Sequence, residues 1–262
     1  MPRSQRRSQL LLLSRIEPLD LQGASHSLKV ARVCEHQRHM TAGFDPFLAD
    51  SILPDDDDLT PIHDREYRVR SYRLGPDRIL IRGAVRDQKP PGLYISHDPD
   101  PITVHHMVVE LEVSFPGLEI GRAEVTFNTY PHTTCSVITD HYKKLEGLSI
   151  ARGFSNKVRE LFGGPRGCTH TTALLLAMGP VAVQCAWSMR TFEAPDTDEP
   201  ALKMGFNRDP DDDSWKMNTN TCHEWAEDGP AYARAAAGLS WGVPVFMRER
   251  AEKFGIEVGE PQ

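Results

Sequence analysis

The stretch ITVHHMVVELEVSFPGLEIGRAEVTF, residues 102–127, decides the fold. Side chains of a β-strand alternate between two faces, so over 102–114 His105, Met107, Val109, Leu111 and Val113 share one face. His106, Val108, Glu110 and Glu112 share the other. The first face is apolar apart from its histidine, and the second is mixed, as expected of a strand with one side on a core. Phe115-Pro116-Gly117 is a turn signal, and Leu118 to Phe127 reads as a second strand, so the pair predicts an antiparallel hairpin.

Working outward, Tyr67 to Tyr72 and Arg78 to Val85 read as two earlier strands around the turn Gly75-Pro76-Asp77, with Gln88-Lys89-Pro90-Pro91-Gly92 as a loop. Downstream the pattern turns helical. Pro131 to Leu145 is mixed, with a helix ending near Gly147. Ser155 is placed to cap a short helix that stops at Gly163-Gly164. Thr169 to Arg190 predicts the longest helix, with Leu174, Ala177, Met178, Val181 and Cys185 on one face and Pro180 kinking or splitting it. Short helices follow over Pro230 to Ala237 and Pro244 to Phe254. Strands first and helices later predict a segregated α+β fold, an antiparallel sheet of early strands packed against later helices in a single domain. The domain is expected over residues 67–258. Before it come a disordered leader, residues 1–40, and an acidic connector, residues 41–66, holding Asp55 to Asp58. Met40 is an expected alternative start. Residues 192–216 are acidic and Pro-rich and read as a long loop.

Composition narrows the function class. The 262 residues carry a formal net charge of −7, which disfavours sequence-independent nucleic-acid binding and docking on an anionic membrane. The apolar run Leu10 to Leu13 is too short for a signal-peptide core, and no stretch approaches the roughly 20 apolar residues of a membrane helix. The five cysteines, Cys34, Cys135, Cys168, Cys185 and Cys222, are odd in number and form no disulfide framework. A cytoplasmic protein with reduced thiols is the expectation.

The chemistry concentrates at Gly163-Gly164-Pro165-Arg166-Gly167-Cys168-Thr169-His170, which runs straight into an apolar helix. A helix start offers converging backbone amides and a partial positive charge, which favours a thiolate. The bland alternative is that Cys168 or Thr169 caps the helix and His170 packs or meets solvent. The stretch lacks the lysine of a phosphate-binding loop and the dinucleotide fingerprint. His105 must find a polar partner among its apolar neighbours, and for it the bland alternative is a core histidine bonded to a backbone carbonyl. Pro131-His132-Thr133-Thr134-Cys135 and Thr221-Cys222-His223-Glu224-Trp225 each pair a cysteine with a histidine, without the double spacing of a structural zinc site. No metal is therefore assigned, with zinc on Cys168, His170 and one further Cys or His as the alternative.

The stretch from His105 to Trp187 resembles the bacterial family called domain of unknown function 2889. The resemblance rests on His105 and Met107 in a strand, Pro131 and Cys135 after the next strand, and the Leu145–Gly147 turn. It rests further on the helix start Gly167-Cys168-Thr169-His170 and the late Gln184. Members commonly have Asp after the strand histidine, where this chain has His106, and often Leu after the helix-start histidine, where it has Thr171. The resemblance implies a shared pocket and no particular reaction. Together with the residues it leads to an expected small-molecule enzyme of lyase or hydrolase type. His170 would be the general acid or base, Cys168 a thiolate or polar group, and His105 a second proton carrier. Gln184, His106 and Cys135 would contact substrate. The alternatives are a non-catalytic small-ligand-binding accessory protein and a metal-dependent enzyme. The expected partner is a small molecule, with no cofactor, nucleic acid or membrane.

Overall fold

The computed structural model describes Leu53 and residues 58–193, 213–239 and 244–256. The expected leader, most of the acidic connector, most of the 192–216 loop, Cys34 and Trp241 lie outside the described residues.

Four strands form one antiparallel sheet: β1 (Asp64–Arg73), β2 (Arg78–Lys89), β3 (Ile102–Ser114) and β4 (Glu119–Thr129), in the order β1-β2-β3-β4. The hairpin of β3 and β4 pairs Met107 with Phe127, Val109 with Val125, Leu111 with Ala123 and Val113 with Ile120. Those eight side chains are buried, so the face expected from alternation is the core face. In β2 the same period buries Ile79, Ile81, Gly83, Val85 and Asp87. That strand runs to Lys89, four residues beyond its expected end at Val85, so Gln88 and Lys89 are strand and not loop. The opposite face of the sheet carries the pairs Arg82–Glu110, Arg86–Glu66, Arg122–Glu112 and Arg122–Glu124. Apart from the part-buried Arg86–Glu66, these pairs are exposed and add little stability; they keep the face wet.

After the sheet come a 3-10 helix (Cys135–Leu145), α1 (Phe154–Phe162), a 3-10 turn (Gly164–Arg166) and α2 (Thr169–Glu193). Further on lie α3 (Pro230–Ala236) and α4 (Val245–Lys253). The residue preceding α1 is Gly153, at φ 65°, a left-handed conformation glycine adopts without strain. Ser155, expected as the cap, sits inside the helix. The helix α2 runs through Pro180 unbroken. Its buried apolar side chains are Leu174, Leu175, Met178, Ala182 and Met189, with Thr171 buried among them, while Ala177, Val181 and Cys185 are only part-buried. The buried face is thus rotated from the expected one, because Leu174 and Leu175 both turn inward. Gly83 is where β2 meets this helix: a Cβ there would lie 2.8 Å from Met178 Sδ and 3.1 Å from Leu174 Cδ1. That close approach brings the start of α2 towards the end of β2.

By length and composition Thr169–Phe192 is long and apolar enough to cross a membrane, which corrects the expectation that no segment reaches that mark. A mostly buried core helix passes the same test; here 33 % of the apolar window is buried, and α2 contributes five apolar side chains to the core. The contacts divide the chain into two units, Met1–Asp64 with Gln88–Ile102, and Arg65–Asp87 with Thr103–Gln262. In the first, Leu93, Tyr94 and Ile95 are exposed. The second contains the sheet core, the helices and every residue of the site below.

Candidate functional site

The site forms around Asp87, only 2 % exposed, at the inward-facing end of β2. A carboxylate cannot be buried without cationic or N–H partners, because desolvating the charge costs several kcal/mol. Arg65 from β1 supplies a two-pronged contact: Nε lies 2.5 Å from Oδ1 and Nη2 lies 2.7 Å from Oδ2. Planar guanidinium matches carboxylate in this way, and the hydrogen bonds hold the Arg65 pKa above its ordinary value, so it stays a cation.

Two imidazoles complete the shell. His105 Nδ1 from β3 lies 3.1 Å from Asp87 Oδ2, and His170 Nε2 from the first turn of α2 lies 3.0 Å from the same oxygen. An ionised carboxylate can only accept, so both of these nitrogens are N–H donors. The tautomers follow: neutral His105 has its lone pair on Nε2, and neutral His170 has its lone pair on Nδ1. The rings stack, centroids 3.9 Å apart and planes 27° apart. Burial pushes the His170 pKa below the ordinary value of 6.5, and the neighbouring His105 and Arg65 push the same way against the pull of Asp87.

Cys168 stands just before α2. Its Sγ lies 3.7 Å from His170 Nδ1, at the outer edge of a sulfur hydrogen bond. Its backbone N–H donates to Tyr142 Oη at 2.8 Å. The Tyr142 ring is fully buried and stacks on Phe162 at 4.7 Å, and burial pushes its phenol above the ordinary range. Gly167 also fixes this segment. A Cβ there would lie 2.4 Å from the Phe162 carbonyl oxygen, so the glycine is needed for contact and not for its φ of −156°.

Of the residues picked from sequence, His105, Cys168 and His170 therefore converge. The other three do not. His106 faces the opposite side of the sheet, where burial and Arg86 lower its pKa. Gln184 is exposed and lies roughly 20 Å further along the axis of α2 than His170, since a helix rises 1.5 Å per residue. Cys135 opens the 3-10 helix and packs against the apolar core. The alternative zinc set containing Cys168 is also not the one that gathers: among the described residues, the group close enough to share an ion is Asp87, His105 and His170. Sequence reading missed Arg65, Asp87 and Tyr142. For Asp87 a signal existed, because the alternation Ile79, Ile81, Gly83, Val85 carries it to the inward face.

Fold and site together define an α+β protein with a buried carboxylate that anchors a stacked histidine pair at a helix start. Residues 63–184 match the family model described as Protein of unknown function (DUF2889). The matched segment holds all four strands, Tyr142, Cys168 and His170. No curated protein and no solved structure matches the chain.

Proposed function

We propose that this protein is a small-molecule enzyme that works by proton transfer, of lyase or hydrolase type, with His170 as general base and acid and His105 as second proton carrier. One observation carries the reading: a single buried carboxylate holds Nδ1 of one imidazole and Nε2 of the other, 3.1 and 3.0 Å away. Such anchoring fixes both tautomers and leaves one unprotonated nitrogen on each ring, and histidine titrates near neutral pH. Protonating both rings would set like charges 3.9 Å apart, so the pair is suited to carry one proton at a time. Arg65 neutralises Asp87 and leaves the proton to the imidazoles. The negative net charge and the reduced thiols support action in the cytoplasm on a small molecule, away from nucleic acid and membrane surfaces.

The test is a panel of small carbonyl compounds and esters incubated with the protein in heavy water and followed by proton NMR. Conversion or C–H exchange should appear for at least one compound and fall by about 10²–10⁴-fold in His170→Ala. Turnover that survives this change would remove His170 from the chemistry. Compounds that raise the melting temperature without being converted would favour a ligand-binding accessory protein instead.

A metal-dependent enzyme is the second reading, favoured by the three ligand atoms of Asp87, His105 and His170, all within 4.8 Å of one another. Imidazole binds a metal through a lone pair in the ring plane. The ring nitrogens nearest the carboxylate both face Asp87 Oδ2, so an ion shared by the three groups would replace the two N–H···O contacts there. Elemental analysis of the purified protein decides between the readings. One equivalent of zinc or iron would promote the second.

A further inference from the structure

Proton transfer by the histidine pair gives Cys168 no bond to make, yet the thiol stands in line with the two groups that would activate it. Sγ faces His170 Nδ1 at 3.7 Å, and the opposite nitrogen of that ring donates to Asp87 Oδ2 at 3.0 Å. Thiol, imidazole and carboxylate in that order are the parts of an activated nucleophile: a base within reach, and a third group that orients the base. Since Asp87 accepts from Nε2–H, the nitrogen turned to the thiol is the one with the lone pair.

The backbone is held to match. Tyr142 Oη accepts the Cys168 N–H, and Gly167 packs against Phe162 with no room for a side chain. Directly after the thiol begins the 25-residue helix α2. Helical bonding starts with Thr172 N–H donating to Cys168 O at 2.9 Å, so the N–H groups of Thr169 and His170 have no acceptor within the helix. Donors at that place suit an oxygen that gains negative charge next to the thiol, which is what a carbonyl under nucleophilic attack provides.

We infer that Cys168 is a covalent nucleophile for acyl groups, with small esters or thioesters as the substrate class. The inference rests on the role proposed above for His170. In the first half-reaction the thiol proton passes to His170 Nδ1, and a bond forms between Sγ and the carbonyl carbon. The bond from that carbon to the leaving oxygen or sulfur then breaks, and His170 returns its proton to the leaving group. In the second half, water gives a proton to His170 and its oxygen attacks the acyl carbon. The Sγ–C bond breaks, the acid departs and the proton returns to sulfur. The sum is ester or thioester plus water giving acid plus alcohol or thiol, with no redox change.

The chain supplies its own control. Cys222 is exposed, whereas Cys168, Cys135 and Cys185 are part-buried. If access alone set reactivity, Cys222 would be alkylated before Cys168. The full-length reduced protein is treated with limiting iodoacetamide at pH 7, and peptide mass spectrometry reads each cysteine. Cys168 is expected to react at least about ten times faster than Cys222, as a thiol with an adjacent base does. A Cys168 rate equal to or below that of Cys222 overturns the inference, and no variant is needed to see it. With p-nitrophenyl acetate, a burst of p-nitrophenolate and an acetyl group on the Cys168 peptide are expected, both lost in Cys168→Ser. Acetylation that favours Cys222 overturns it as well. NMR titration of the imidazoles separates this failure from that of the parent reading. An inert Cys168 beside histidines that still respond to Asp87→Asn removes only the covalent step. Histidines that ignore Asp87→Asn remove both.

Discussion

His105 and His170 stack face to face at 3.9 Å, one ring carried by β3 and the other by the first turn of α2, because both donate to one oxygen of Asp87. The carboxylate is thus the common anchor of elements far apart in sequence, and removing its charge should be felt in stability as well as in chemistry. Breaking a fully buried ion pair costs about 3–5 kcal/mol, and the 39 % exposure of Arg65 should bring the loss in Asp87→Asn nearer about 2 kcal/mol. Urea unfolding of the variant and the parent measures the difference.

The depressed pKa of His170 makes stability depend on pH. In the unfolded chain the imidazole titrates at its ordinary value near 6.5, and in the folded protein it titrates lower. Between the two values the unfolded state binds more protons, so stability rises with pH through that window and falls on acidification. The His170 imidazole resonances should titrate with a midpoint below 6.5. The urea midpoint should drop between pH 7.5 and pH 5 by less in His170→Gln than in the parent.

Tyr142→Phe removes the acceptor for the Cys168 N–H while keeping the ring that stacks on Phe162. A part-buried donor left without a partner costs about 1–3 kcal/mol. Thermal unfolding should report that loss, and amide exchange at the start of α2 should speed up.

Gly167→Ala places a methyl group 2.4 Å from the Phe162 carbonyl oxygen, closer than any real contact. The neighbour is backbone, so the segment carrying Cys168 and His170 must shift. A loss of about 1–3 kcal/mol is expected, as for overpacking elsewhere. The His105 and His170 resonances should move together, and a variant with unchanged imidazole shifts would show that this contact does not set the site.

Much of this was legible in residue order, and the failures are instructive. Alternation along 102–114 places His105 inward because a pleated strand leaves only two choices, and the glycines before Cys168 mark a helix start for steric reasons. Asp87 was missed because an acid followed by Gln88-Lys89-Pro90-Pro91 looks like the start of a loop. Its inward position becomes plain only when the apolar period of β2 is carried two residues further. Arg65 precedes the expected start of β1, and its role depends on pairing across the sheet, which one strand's pattern does not encode. Gln184 enters through the resemblance alone, and a matched motif says nothing of depth along a helix axis. Tyr142 sits in a 3-10 helix, whose three-residue turn does not follow the α-helical period.

Arg65 is delivered by β1, which among the described strands is hydrogen-bonded to β2 alone. The counter-charge of the buried Asp87 therefore rides on the margin of the sheet. Fraying of that margin would withdraw the guanidinium and leave Asp87 with the two imidazoles as its nearest source of positive charge. Local opening of one peripheral strand would then raise the proton affinity of His170, which the guanidinium holds down, coupling the mobility of an edge to the acidity of the centre.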